Sequence, residues 1–296
     1  MPRIEELLSS PQVRVRDVDL VVAKLQKFIA GGASKLMVIS DFDFTISRYA
    51  DEKGKRCSSC YCIFDDAVGK LYPDFYDKFI GLWKKYGPIE HDHHMTIEEK
   101  IPHMEEWWNS SHECIISAGF NRNQIEKFVG VSNIQLRDEA DVLMNVLTAH
   151  EVPFIVFSAG IGTIIEMYLR LKFGKVADNT HIVSNMMLFD ENDRVNAFSE
   201  PLIHVFCKNS SVIPKDASFS GQLSDRTNVI LMGDSVGDAF MDVGVEQEQA
   251  SLKIGFVNHD SDVLVDKYLN YFDIVLVEDQ TMSVPNQILN AIVAQK

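Results

Sequence analysis

Five short apolar runs recur along the chain: KLMVIS (35–40), PFIVF (153–157), NVILM (228–232), LKIGFV (252–257) and DIVLV (273–277). Each is too short for a core helix and rich in Val and Ile, so the pattern predicts buried strands. The runs are almost continuously apolar, which suits a parallel sheet covered on both faces. Stretches with helical spacing lie between and after them: DEADVLMNVLTAH (138–150), IGTIIEMYLRLKF (161–173), SDVLVDKYLNYF (261–272) and VPNQILNAIVAQ (284–295). The alternation predicts an open α/β sheet.

The gap between the first two runs is too long for one crossover helix. Residues 47–128 are rich in aromatics, His and charges, with few strand signals. FYDKFIGLWKKYG (75–87) and TIEEKIPHMEEWWNSSHECIIS (96–117) have helical periodicity, and Thr96 with Glu99 fits a capping box. The segment therefore reads as a mostly helical insertion, a cap on a core formed by 1–46, with an N-terminal helical arm, and 129–296. SNMMLFDENDRVNAFS (184–199) has a turn-rich centre between apolar flanks and predicts a β-hairpin.

Composition narrows the class. The 296 residues, 46% of them hydrophobic, suffice for a core domain and a smaller second one. A net charge of −15 repels polyanions, which argues against nucleic-acid polymers and anionic membranes as partners. A small phosphorylated ligand remains compatible, because a metal and local cations can reverse the field inside a cleft. No apolar run approaches the roughly 20 residues of a membrane span, and the N-terminus lacks the continuous apolar core of a secretory leader. Five unevenly placed cysteines in a large domain point to reduced thiols and a cytoplasmic setting.

The chemistry-bearing residues follow the predicted strands, where open α/β sheets bind their ligands. Asp41 and Asp43 follow the first strand, Ser158 the second, and GDSVGD (233–238) follows NVILM. Two carboxylates that close repel and lose hydration in a cleft, and a divalent cation is the usual compensation. Mg²⁺ prefers oxygen ligands and would permit a carboxylate to attack phosphorus. In that arrangement Asp41 attacks, Asp43 serves as acid and base, Asp234 helps hold the metal, Ser158 donates to a phosphoryl oxygen and Lys208 balances charge. Taken singly, each part has an ordinary reading as a helix cap, a Gly-rich turn or a surface lysine; their joint order carries the case.

That order, Asp-x-Asp-x-Thr, Ser, Lys, Gly-Asp-x-x-x-Asp, resembles the haloacid dehalogenase superfamily. ISDFDFTISRY, KRCSSC, EEKIPHMEEWW, FIVFSAGIG, EPLIHVFCK and VILMGDSVGD together resemble the cytosolic 5′-nucleotidase III family. The resemblance implies a Rossmann-like core with a helical cap, Mg²⁺ as cofactor, and nucleoside 5′-monophosphates as substrates. It implies Asp41 as nucleophile and metal ligand, and Asp43 as acid/base that also ligates through its backbone carbonyl. Asp234 would be the third protein ligand, with Asp238 behind it, while Ser158, the Ala159 backbone and Lys208 hold phosphate. In the cap it implies that Glu90, Trp108, Ser111 and Tyr61 face the base, Trp108 by stacking. An aromatic face gains cation–π energy from the cationic ring of 7-methylguanine, and a carboxylate complements its donor edge. The favoured substrates are therefore 7-methyl-GMP and CMP, with the chain expected to act as a monomer.

Three rival readings stand beside this one. CSSCYC (57–62) with HDHH (91–94) offers Cys and His donors for zinc, but their spacing lacks the paired helical pattern. The acidic sites could belong to a non-catalytic nucleotide-binding module, against which the complete nucleophile, acid/base, Ser and Lys set counts. A phosphoaspartyl enzyme could also pass its phosphoryl group to a nucleoside instead of water.

Overall fold

The computed structural model describes residues 7–64, 66–92, 94–209, 220–223, 225–245 and 248–294. Residues 1–6 of the expected N-terminal arm, His93 of the HDHH stretch and Gln295 of the last predicted helix lie outside these.

A seven-stranded sheet is built from β1 (Val13–Val15), β2 (Leu36–Ser40), β3 (Phe154–Ile161), β4 (Thr180–Asn185), β7 (Asn228–Gly233), β8 (Ala250–Val257) and β9 (Ile274–Val277). Its order is β1-β9-β8-β7-β2-β3-β4, parallel throughout except for β1, which pairs antiparallel with β9. The five apolar runs are β2, β3, β7, β8 and β9. Every residue of β2, β3 and β7 is buried, which explains their lack of polar alternation.

Two strands were not anticipated. β1 is three residues of a charged N-terminal stretch, and β4 has the mixed sequence THIVSN. Ser184 and Asn185 end β4 and do not open the hairpin, which is formed by β5 (Met187–Phe189) and β6 (Val195–Phe198). Ser184 and Asn185 are tolerated there because their side chains donate to carbonyls of neighbouring β3.

Between β2 and β3 run the helices Pro73–Glu90, Ile97–Ala118 and Arg122–Val131. Thr96 and Glu99 form the expected reciprocal capping box. The interior of this segment is aromatic: Phe64, Phe75, Phe79, Phe120 and Phe128 pack edge-to-face and stacked at centroid separations of 5.2–6.4 Å. Helix Arg122–Val131 crosses position 128 and packs on the helix Gly162–Phe173 behind β3, while β6 packs on helix Ile97–Ala118. One hydrophobic cluster runs continuously from the sheet into these helices. No described helix is long and apolar enough to cross a membrane.

Candidate active site

Asp41 continues β2 into the cleft, its N–H donating to the Met232 carbonyl of β7 at 3.0 Å. The backbone then turns within Phe42–Ile46, where Phe44 takes a left-handed φ of 61°. A non-glycine residue stays there only when its surroundings over-determine it. They do. The Phe44 N–H donates to Ser47 Oγ at 2.8 Å, and the Phe44 carbonyl accepts from Asn258 Nδ2 at 3.0 Å and Arg137 Nη2 at 2.5 Å. Arg137 is fully buried, and it also donates to the carbonyls of Thr45 (2.7 Å) and Asp279 and to Asn258 Oδ1 (2.7 Å). Burial lowers its pKa to about 9, offset in part by Asp234 and Asp279. The turn aims Asp43 at Cys60, whose N–H donates to Asp43 Oδ1 at 2.9 Å.

At the end of β7, Asp238 organises the adjacent turn. Its Oδ2 accepts from the N–H groups of Asp234 (3.2 Å) and Ser235 (2.9 Å) and from Ser235 Oγ (2.8 Å). Its Oδ1 accepts from Lys208 Nζ at 2.6 Å, and the same ammonium donates to Asp41 Oδ1 at 2.6 Å. Lys208 is thus a buried bridge between nucleophile and turn. Burial alone would lower its pKa, but Asp238 and Asp41 outweigh that and hold it above the ordinary lysine value. The Asp234 side chain is held by one long contact from Thr45 Oγ1 at 3.4 Å, while Tyr268 donates to its carbonyl at 2.5 Å.

Beside them the β3–β4 register shifts between Phe157 and Ile161. The irregularity lifts Ser158, Ala159 and Gly160 out of regular pairing. Ser158 Oγ accepts from the Gly160 N–H at 3.0 Å, which leaves its own proton for a ligand. Asn185 Nδ2 donates to the carbonyls of Ala159 (3.0 Å), Gly160 (3.1 Å) and Ile203 (2.8 Å), tying this turn to the segment that carries Lys208. Gly160 permits a close approach: a Cβ there would stand 2.9 Å from Asp43 Oδ2, 3.1 Å from Ser158 Oγ and 3.2 Å from Cys60 Cβ.

The site is charged beyond its own means. With all four ionised, Asp41, Asp43, Asp234 and Asp238 would face one ammonium, Lys208, and one guanidinium, Arg137, an excess of two negative charges that burial resists by favouring the protonated carboxyls. Burial pushes Asp41 up to about 7 despite Lys208, and Asp43 to about 6 despite the Cys60 contacts. Asp234 is raised well above its ordinary value by burial, then by Asp41 and Asp238. One divalent cation would remove that excess, and carboxylate oxygens of Asp41, Asp234 and Asp238 lie within 4.8 Å of one another. An all-oxygen donor set of this charge suits a hard cation. Within the trio Asp238 is already occupied by Lys208 and the turn, so Asp41 and Asp234 have the freer oxygens.

The cap side is less uniform. Trp108 is 7% exposed and donates from Nε1 to the Ala159 carbonyl at 2.8 Å, bridging helix Ile97–Ala118 to the β3 turn. Tyr61 stands edge-on to it, at 6.0 Å and 81°. Ser111 lies three residues further along the same helix and is buried. Glu90 ends helix Pro73–Glu90, a quarter exposed, with Oε2 4.0 Å from His91 Nδ1. Burial raises its pKa, with His91 and Lys100 opposing, and Lys100 donates to the Glu90 carbonyl at 2.8 Å. The structure therefore joins Asp41, Lys208, Asp238 and Asp234 through direct bonds and Ala159 to Trp108 through another, sets Asp43 and Ser158 on either side of Gly160, and adds Tyr61 through its ring packing on Trp108. Ser111 and Glu90 are placed on cap helices without a direct bond to that group. Arg137, Asn185, Cys60 and Tyr268, which hold the catalytic turns, were not expected. CSSC had stood out only for its thiols, whereas Cys60 acts through its backbone N–H, and the isolated Arg and Asn carry no local pattern that marks them.

The chain matches the family described as Pyrimidine 5′-nucleotidase (UMPH-1) over residues 44–293. It is 50% identical to a Caenorhabditis elegans protein described as a cytosolic 5′-nucleotidase 3, over 97% of this chain and 77% of the relative. It is 41% identical to the human 7-methylguanosine phosphate-specific 5′-nucleotidase, covering 94% of this chain and 90% of the relative. Among solved structures, cytosolic 5′-nucleotidase IIIB bound to cytidine superposes with a TM-score of 0.90 at 35% identity, covering 97% of this chain and 96% of that one.

Proposed function

Because the chain belongs to the pyrimidine 5′-nucleotidase (UMPH-1) family, with the Rossmann-like core of the haloacid dehalogenase hydrolases, we infer that its acidic cleft hydrolyses nucleoside 5′-monophosphates to nucleoside and phosphate. The observation that carries this reading is the buried Asp41–Lys208–Asp238 bridge beside Asp234 and Asp43 at the carboxyl ends of β2 and β7.

In this mechanism Asp41 Oδ attacks phosphorus in line with the leaving 5′ oxygen. The phosphorus–oxygen bond to the nucleoside breaks, and Asp43 gives its proton to that oxygen. A carboxyl with a pKa near 6 suits the task, because it can hold a proton and yield it near neutral pH. Asp43, now ionised, takes a proton from water; the hydroxide attacks the phosphoaspartyl phosphorus and regenerates the Asp41 carboxylate. Ser158 Oγ–H, the Ala159 N–H and Lys208 hold the phosphoryl oxygens throughout. A divalent cation, Mg²⁺ in our reading, held by Asp41, Asp234 and the Asp43 carbonyl supplies neutralising charge to phosphate and nucleophile when bound. Lys208 also opposes the protonation of Asp41 that burial favours.

Residues 47–128 act as the specificity cap. Trp108, Tyr61, Ser111 and Glu90 would face the base, with Trp108 tethered to the phosphate turn by its own N–H. The preferred substrates are 7-methyl-GMP and CMP, supported by what the human relative is specific for and what the solved relative holds. A cytoplasmic monomer is the setting we assign. The test is phosphate release from a panel of 7-methyl-GMP, CMP, UMP, GMP and AMP, each with Mg²⁺ and with EDTA. Activity on the first two that EDTA abolishes supports the reading. Tight nucleotide binding with no phosphate release under any condition would leave a non-catalytic binding module.

A further inference from the structure

His112 lies four residues beyond Trp108 on helix Ile97–Ala118, so it shares that face of the helix. It is buried, and one side of its ring lies flat on Phe198, with centroids 3.8 Å apart and planes 6° from parallel. Phe198 ends β6, in the two-stranded hairpin of the core. The other partner is Tyr61, whose hydroxyl lies 3.0 Å from His112 Nε2.

The proton positions follow from the surroundings. Burial lowers the His112 pKa to about 4, so the ring is neutral near pH 7. Burial, followed by Cys60 and Asp43, raises the Tyr61 phenol well above its ordinary value, so it keeps its proton. Among the described residues the phenol has no other acceptor, so it donates to a bare Nε2 and the imidazole proton sits on Nδ1. The Tyr61 ring otherwise has only non-directional neighbours, Phe79 at 6.2 Å and Trp108 at 6.0 Å. The hydrogen bond is therefore its one directional restraint among the described contacts.

We propose that His112, backed by Phe198, is the positioning residue that orients Tyr61 toward the base and turns its hydroxyl proton away from it. This rests on the placement of Tyr61 at the base. With its proton committed to His112, the Tyr61 oxygen offers a ligand only lone pairs. It then accepts from an exocyclic amino group, which cytosine and 7-methylguanine carry, and has nothing to donate to the carbonyl that uracil presents at the corresponding position. The core hairpin, through Phe198, thereby takes part in base choice at the cap.

The test measures kcat and KM for CMP and UMP in His112→Phe, Tyr61→Phe and the double variant, with thermal unfolding as a control. His112→Phe keeps a flat ring on Phe198 but removes the acceptor. The expected result is a fall of about three- to tenfold in the CMP/UMP ratio of kcat/KM, the size of one neutral hydrogen bond, carried by KM for CMP and not by kcat. Tyr61→Phe should produce the same fall, and the double variant no further one. His112→Gln, whose amide oxygen can accept from the phenol, should recover part of the ratio. Equal losses for CMP and UMP in His112→Phe overturn the proposal and leave His112 as packing. If Tyr61→Phe shifts the ratio and His112→Phe does not, Tyr61 reads the base without His112. If neither Tyr61→Phe nor Tyr61→Ala shifts it, the base-contact reading itself fails. Should His112→Phe be unfolded, His112→Leu and His112→Gln take its place: a lower CMP/UMP ratio in the first that is partly restored in the second supports the proposal, and equal ratios in the two overturn it.

Discussion

Replacing Gly160 with Ala adds one methyl group where Asp43, Ser158 and Cys60 converge on the backbone. Gly160 is not among the residues with positive φ, so alanine is allowed by the backbone. Its Cβ would stand 2.9 Å from Asp43 Oδ2, 3.1 Å from Ser158 Oγ and 3.2 Å from Cys60 Cβ, where ordinary contacts begin at 3.4 Å. Asp43 must retreat by 3.4 − 2.9, or 0.5 Å, with smaller shifts of Ser158 and Cys60. A misplacement of 1 Å can cost about 10²-fold in rate, so half of that predicts a loss of about tenfold in kcat, rising if Asp43 and Ser158 move together. The fold should survive. Local overpacking costs about 1–3 kcal/mol, of which the lower entropy of the unfolded alanine chain returns about 0.4–1. Thermal unfolding would verify that, and steady-state phosphate release from CMP would give kcat. A folded Gly160→Ala enzyme within twofold of the parent would refute the reasoning, because Asp43 would then not need its present position.

Asp41→Asn should abolish phosphate release, since an amide oxygen is a far weaker nucleophile; residual turnover near the parent rate would remove Asp41 from its role. Asp234→Asn should raise the divalent-ion concentration needed for half-maximal rate, whereas an unchanged titration would place the cation elsewhere. Trp108→Phe keeps an aromatic face but loses the N–H donated to Ala159, so kcat/KM should fall about three- to tenfold for all nucleotides alike; Trp108→Ala should add a loss that is larger for 7-methyl-GMP than for CMP, and equal losses would make Trp108 only a tether. Stability should fall in mild acid through His112, whose folded pKa of about 4 lies below its unfolded value of 6.5. The unfolded chain then binds the extra proton, so the contribution is whole above pH 6.5 and lost as pH falls toward 4; at pH 5 the loss is about 2 kcal/mol. Urea unfolding of the parent and His112→Phe at pH 7.5 and pH 5 should show that difference shrinking in the variant's favour.

Much of the core was readable along the chain because its signals are local. A strand buried on both faces must be a short apolar run, and β2, β3, β7, β8 and β9 were recognised from that alone. Chemistry at the ends of such strands is equally local, so Asp41, Asp43, Ser158 and Asp234 stood out by position. The capping box at Thr96 needed only residues three apart. What escaped was set by partners distant in sequence. β1 is a strand only because β9 offers it an edge, and β4 only because β3 does. Arg137 is isolated in the sequence, and its value comes from carbonyls that the fold brings to it from the turn after β2 and from Asp279. Asn185 and Cys60 are similar cases: one ties two loops to β4, the other offers an N–H to Asp43 across 17 residues. Lys208 was named from its order, but the ion pairs joining it to Asp41 and Asp238 span 167 and 30 residues. Residue type sets what a group can donate, accept or attack with; packing sets which partners it meets, how far it is removed from water, and so which of those capacities it uses.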